Sequence, residues 1–212
     1  MDSSRRPGSP PTATPSRRRG AVLEHAILEA ALAQLGTVGW SALTMEGVAA
    51  EAHTGKAAIY RRWPSKEDLV ADALRVALPM FHGAPDLGGV RDDLLNLCLR
   101  MREVMYSRSG MALRSVIHEC DAEAAGRFHS VIDEGVVEPA ARLIKEVISR
   151  GVERGEVRPE ALDDYVCDVI PALMMYRSKM CASEWTEGEL TRMIDRVMVP
   201  LLRPTDGWRQ RS

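Results

Sequence analysis

Within the eleven residues from Lys56 to Lys66 the chain places Lys56, Tyr60, Arg61, Arg62 and Lys66. Side chains of these types donate hydrogen bonds to phosphate oxygens, and an arginine can also donate two to a guanine edge. Ala57 and Ala58 stand beside Lys56, and alanine methyls meet a thymine methyl without a clash. The chemistry on offer is noncovalent recognition of duplex DNA, with Lys56, Ala57 and Ala58 placed for base edges and Tyr60, Arg61 and Arg62 for phosphates. Patterns for making or breaking bonds are missing. The sequence holds no G-x-S-x-G, no H-E-x-x-H and no phosphate-binding glycine loop, so no nucleophile has an assigned base and no enzymatic activity is expected. His118, Glu119, Cys120, Asp121 and His129 fall close together but match no standard zinc spacing, so neither a metal nor another cofactor is expected. Cys98, Cys120, Cys167 and Cys181 form no C-x-x-C pair; they are expected to be reduced and partly buried, with a thiol-based redox-sensing regulator as an alternative.

Such a set works only if a helix carries it into a groove. Thr44 is a good N-cap, Glu46 adds negative charge to the first turn, and Met45, Val48, Ala49 and Ala52 form a narrow apolar stripe at i, i+3, i+4 and i+7. His53, Thr54 and Gly55 break that helix in a turn of about three residues. The next helix is predicted over Lys56 to Trp63, burying Ile59 and Trp63 and leaving Lys56, Ala57, Tyr60 and Arg61 on the other side. Pro64 stops it. Ser65 and Asp68 then form an S-x-x-D start for a further helix, with Lys66 at an N-terminus whose free N–H groups favour a phosphate.

This segment resembles the helix-turn-helix of TetR-type (TetR/AcrR-like) transcriptional repressors. The resemblance rests on Thr44, Val48-Ala49, the turn at His53 to Gly55, then Lys56, Ile59, Tyr60, Trp63, Ser65 and Lys66, with Ile27, Ala30, Ala31, Leu35 and Gly39 upstream. It spans about the first third of the chain. His53 stands where the family usually has glycine and Thr54 where it usually has an aliphatic residue. Gly47 inside the supporting helix costs about 1 kcal/mol relative to alanine. Further on, RGEVRPEALDDYV resembles the G-E-[LIV]-R-x-[DE] junction of the same family's ligand domains. The resemblance implies an all-α fold, with an N-terminal three-helix helix-turn-helix domain followed by a larger helical ligand-binding and dimerisation domain. It implies a homodimer on a pseudo-palindromic operator in double-stranded DNA, released by a small, mainly hydrophobic effector. Thr44, Lys56, Ala57, Ala58, Tyr60, Arg61, Arg62 and Lys66 are then the DNA-binding set, joined by Arg18 and Arg19. A helical adaptor or small-molecule binder that does not read DNA is the alternative, and His53 and Thr54 are the residues that lean toward it.

Composition agrees with a regulator. The 212 residues carry a net charge of −2, so the chain as a whole is no general polyanion binder, yet residues 1–66 hold +4 and the remainder −6. A basic end on an acidic body presents one face to a duplex. Residues 1–19, with four prolines among serines, threonines and arginines, are expected to be a disordered basic arm that either follows the DNA or merely solubilises the chain. Residues 20–81 are assigned to the helix-turn-helix domain, 82–205 to the effector-binding and dimerisation domain, and 206–212 to a flexible tail. No signal-peptide core and no run of about 18 uninterrupted apolar residues is present, so a cytoplasmic protein without membrane attachment is expected.

The second domain reads as helices throughout. Stripes fall at Leu94, Leu97, Cys98, Met101, Val104 and Met105, at Ala112, Leu113, Val116 and Ile117, and along one long helix from Val131 to Ile148 that ends at Gly155. Met101, Met105, Tyr106, Met111, Phe128, Met174, Met175 and Tyr176 are the candidate lining of a ligand pocket, because methionine adapts to irregular apolar spaces. Pro171 is expected to kink its helix, making room or shaping a bundle. The resemblance also implies that Val169 and Leu173 on one helix and Leu190, Ile194, Val197 and Met198 on the last form the dimer interface, an isologous four-helix bundle.

Overall fold

The computed structural model describes residues 15–78, 83–120, 122–181 and 184–204, and for residues 15–19 and 122–125 the backbone alone. The fold is all-α, with no strand among the described residues. Helix α1 (Pro15–Ala42) opens on a proline, which the first turn tolerates, and contains Gly39 at φ 79°, a left-handed residue that turns the chain just before Trp40. The helix thus begins inside the stretch expected to be a disordered arm; residues 1–14 and the side chains of Arg18 and Arg19 lie outside the described residues. α1 is long and apolar enough to cross a bilayer by composition, but Ile27, Leu28, Ala31, Leu32 and Leu35 are buried in the protein's own core.

Three short helices follow: α2 (Met45–Glu51), α3 (Lys56–Tyr60) and α4 (Lys66–Ala77). Thr44 caps α2 by accepting the Gly47 N–H at 3.1 Å, and Ser65 caps α4 by accepting the Asp68 N–H at 3.2 Å while its hydroxyl donates to the Asp68 carboxylate. α3 is one turn shorter than its stripe predicts. The amides of Arg62 and Trp63 both reach the Ile59 carbonyl, and Pro64 disfavours a helical conformation at the residue before it.

The body comprises α5 (Val90–Tyr106), α6 (Arg108–Glu119), α7 (Ala122–Ile132), α8 (Glu138–Glu153), α9 (Asp164–Met180), α10 (Glu187–Met193) and α11 (Val199–Leu202). A single π-helical turn, Asp133–Val137, joins α7 to α8, and another, Ile194–Met198, joins α10 to α11. The expected long helix from Val131 to Ile148 is therefore one rod with one widened turn. Each extra residue advances a helix face by about 100°. As a result Val131 belongs to one hydrophobic core while Leu143, Ile144, Val147 and Ile148 belong to another.

Those two cores do not divide at the boundary expected between residues 81 and 82. The first unites α1 to α4 with Ala112, Leu113 and Val116 of α6 and Phe128 and Val131 of α7. The second gathers α5, α8, α9 and the last helices around Leu94, Leu97, Ile170 and Trp185. Helix α6 is thus packed into the DNA-proximal core although it lies beyond the boundary drawn from sequence. At its start Ser107 caps α6 by accepting the Gly110 N–H, and a β-carbon on Gly110 would run into the carbonyls of Val104 and Met105. Only glycine fits that corner.

Candidate nucleic-acid interface

Helix α3 is pinned from beneath and open above. Ile59 is fully buried and Trp63 nearly so, its indole N–H donating to Asp72 at 2.9 Å. Thr44, Lys56, Ala57 and Arg61 are exposed, and Tyr60 is 48% exposed. Ala58 is half-buried. The solvent face therefore carries Lys56, Ala57, Tyr60 and Arg61 together, with the Thr44 cap alongside. Lys56 reaches back to Glu46 of α2 at 2.5 Å, both ends exposed, and this ammonium holds the Glu46 carboxyl below its ordinary range. An ion pair so open to solvent contributes little, so a phosphate can take the carboxylate's place.

Two expected DNA contacts are turned inward. Arg62 lies against α1, with its guanidinium 3.4 Å from the Ala58 carbonyl and 3.6 Å from the Glu24 carboxylate. Lys66 donates to the Trp40 carbonyl at 3.2 Å and its ammonium sits 4.2 Å from the centre of the Trp40 ring. Both cations find partners far away in sequence, and the Asp68 N–H in the first turn of α4 is capped by Ser65, so Lys66 braces the domain from within.

The chain turns between α2 and α3 at His53 to Gly55, where the sequence places the break. His53 adopts φ 50°, the only non-glycine residue at positive φ among the described residues. The position needs a left-handed backbone, which costs a residue with a β-carbon about 1–2 kcal/mol, while glycine's extra freedom in the unfolded chain costs about 0.5–1 kcal/mol. A His53→Gly protein is accordingly expected to gain about 0.5–1 kcal/mol, read as a higher urea midpoint with unchanged slope. An unchanged or lower midpoint would show that the exposed imidazole compensates for its own strain.

Behind α3 the polar network converges on Trp40. The Trp40 N–H donates to the Ser115 hydroxyl at 3.0 Å, the Ser41 N–H to the Glu119 carboxylate at 3.0 Å, and the Ser115 hydroxyl to Glu119 at 2.8 Å. The Ser41 N–H, followed by the Ser115 hydroxyl, holds the Glu119 carboxyl below its ordinary range. The Trp40 ring meets Phe128 of α7 edge-on at 5.1 Å. One residue therefore ties α6 and α7 to the start of α4.

On the other side of α6 lies a cavity of about 150 Å3. Met101, Met105, Met174 and Met175 of the expected lining border it, together with Pro171 and residues of the widened turn. Tyr106, Met111, Phe128 and Tyr176 do not. Phe128 is buried in the first core, Met111 and Tyr176 face solvent, and the Tyr106 hydroxyl accepts the Trp185 N–H at 3.0 Å. The expected dimer residues also separate. Leu190, Ile194 and Met198 are fully buried in the protomer's own second core, Val169 and Leu173 are half-buried, and Val197 is exposed. Instead α9 turns a second apolar stripe outward: Tyr165, Val169, Ala172, Tyr176 and Met180 share one face, opposite buried Cys167, Ile170 and Met174.

No three His, Cys, Asp or Glu among the described residues converge to hold a metal. The four cysteines are free, and burial pushes the Cys98 thiol up to about 12 and raises Cys167 as well, which keeps both in the unreactive protonated form.

A family model described as "Bacterial regulatory proteins, tetR family" matches residues 27–73, and one described as "Tetracyclin repressor-like, C-terminal domain" matches residues 84–197. The chain belongs to the TetR family of transcriptional regulators. This is a family of DNA-binding regulators, not of enzymes. An uncharacterised HTH-type transcriptional regulator of Mycobacterium tuberculosis is 32% identical over 185 residues, covering 87% of this chain and 90% of that one. A DNA-binding transcriptional repressor TetR of Mycobacteroides abscessus is 28% identical over 187 residues, 88% of this chain and 97% of that one. Among solved structures, the reduced form of NemR from E. coli gives a TM-score of 0.63 at 17% identity, over 86% of this chain and 100% of that chain. NalD, the secondary repressor of the MexAB-OprM multidrug efflux pump in Pseudomonas aeruginosa, gives 0.61 at 18% identity, over 89% and 100%. At such identities these two establish the TetR fold and nothing finer. The helix-turn-helix family match begins at Ile27 and includes all of α2 and α3.

Proposed function

We propose that this TetR-family regulator is a dimeric, cytoplasmic repressor that reads a pseudo-palindromic operator through Lys56, Ala57, Tyr60 and Arg61 of each protomer and leaves it when a small, mainly apolar ligand fills the cavity. The observation that carries the proposal is the position of α6, one face of which packs into the core beneath α3 while the other borders the cavity. A ligand that prefers a shifted α6 then biases the reading heads through the Ser115, Glu119 and Trp40 network. A coupling of about 1–3 kcal/mol between the two sites is enough for partial release. Repression is favoured by the name of the Mycobacteroides abscessus relative, a DNA-binding transcriptional repressor. A second copy of the chain is the natural cover for the outward stripe of α9 with Tyr165 85% exposed, since a contiguous exposed apolar face marks an interaction site. Two such copies would set their α3 helices to enter successive major grooves about 34 Å apart.

The test is direct. Light scattering should give twice the protomer mass, and a gel shift should retard DNA from upstream of the protein's own coding region. Tyr176→Glu, placed in the outward stripe, should yield folded monomers with strongly weakened operator binding. Absence of any shift at low salt, or a wild-type monomer at micromolar concentration, would overturn the reading.

A further inference from the structure

The charge around the cavity is one-sided. Arg114 of α6 lines it, Lys179 of α9 and His118 of α6 stand at its border, and Ser178 adds a hydroxyl, whereas no aspartate or glutamate is among the described lining residues. Arg114 is in an unusual state. Its Nη2 is buried with no hydrogen-bond acceptor among the described residues, and the guanidinium rests 5.4 Å from the centre of the Tyr106 ring. A buried donor without an acceptor is costly, and a planar guanidinium is the side chain best matched to a carboxylate. Among the described residues the Lys179 ammonium meets only the Ile117 carbonyl, at 3.5 Å. The rest of the wall is hydrocarbon and thioether: Met101, Met105, Leu113 and Met174 among others.

From this we infer that the effector is an apolar monocarboxylate, its hydrocarbon part seated among the methionines and its carboxylate on the Arg114 guanidinium with Lys179 close by. The inference rests on the reading of the cavity as the effector site and deepens it. Size limits the class further, because a cavity of about 150 Å3 holds a group about as large as benzene. An aryl-acetic acid or a short-chain fatty acid fits, whereas a long acyl chain or a polycyclic compound requires the wall to open. The carboxylate supplies what Arg114 lacks, so the acid outbinds its neutral amide. The amine, meeting Arg114 and Lys179, is excluded by like charge.

Phenylacetate, phenylacetamide and phenethylamine form a matched set in which only the polar group differs. Calorimetric titration of the full-length protein, with melting temperature as the second readout, should find phenylacetate binding at least about tenfold more tightly than the amide, the size of one charge-assisted hydrogen bond, and no binding of the amine. Arg114→Met should bring acid and amide to the same affinity, and Arg114→Lys, which keeps a cation and guards against a folding defect in the methionine variant, should retain an acid preference. Equal binding of acid and amide to the wild type, or an acid preference untouched in Arg114→Met, overturns the carboxylate inference while leaving the cavity as an apolar site. If none of the three compounds binds, both the inference and the effector reading of the cavity fail.

Discussion

A Trp40→Ala protein is expected to lose about 3–5 kcal/mol of stability, the usual range for deleting a buried tryptophan. The indole is only 5% exposed, meets Phe128 edge-on and carries the Lys66 ammonium over its face. Removing it leaves a void in the core shared by α1, α4, α6 and α7, where close packing prevents full collapse. It also strips Lys66 of half its support. Against a typical total of about 5–15 kcal/mol, the loss should appear as a large fall in the urea midpoint with little change in slope. Trp40→Phe, which keeps an aromatic ring against Phe128, should cost markedly less. A loss of under about 1 kcal/mol in the alanine variant would be typical of a surface substitution and would show that the ring is not the pivot its contacts describe.

Operator affinity should respond most to Tyr60→Ala and Arg61→Ala. Tyr60 is exposed at the end of α3 and Arg61 is exposed at its C-cap, and neither side chain has an ion-pair or hydrogen-bond partner among the described residues, so truncation leaves the fold intact and falls on DNA binding. Each is expected to weaken specific binding by about 1–3 kcal/mol, roughly 5- to 150-fold, if it reads a base, and Arg61→Ala is instead expected to lower the salt slope by about one if that cation neutralises a phosphate. Anisotropy titrations across a salt series separate the two cases for Arg61. Arg62→Ala offers the contrast: its guanidinium lies on Glu24 and Ala58, so its effect should appear in stability before it appears in affinity. If Arg62→Ala outweighs Arg61→Ala in affinity at equal stability, the reading of this face is wrong.

Much of the DNA-reading head is legible in sequence because its determinants are local. Thr44 and Ser65 cap the helices that follow them, and Ile59 of α3 and Trp63 just beyond it are buried as their spacing predicts, all from signals within a few residues of one another. Long cations are another matter. Lys66 and Arg62 choose partners 26 and 38 residues away, Trp40 and Glu24, and no local spacing encodes that choice. The stripe on the last helix correctly marks Leu190, Ile194 and Met198 for burial but does not say against what, and they pack within their own protomer. On α9 two apolar faces blur into one another, so the outward set of Tyr165, Ala172 and Tyr176 escapes a search for a single stripe. Cavities are the least legible. Four of the eight expected lining residues border the cavity, and Arg114, the residue that gives it chemical character, carries no local signature on an amphipathic helix.

The widened turn at Asp133–Val137 has a mechanical corollary. A rod of constant pitch would offer its greasy edge to one neighbour only, as a straight key fits a single slot. The single extra residue acts like an offset lobe on a camshaft, so that one continuous shaft engages two blocks at different bearings. Because that offset borders the cavity through Val136 and Val137, with Ile132 just before it, a molecule seated there would lie against the joint that sets the two bearings.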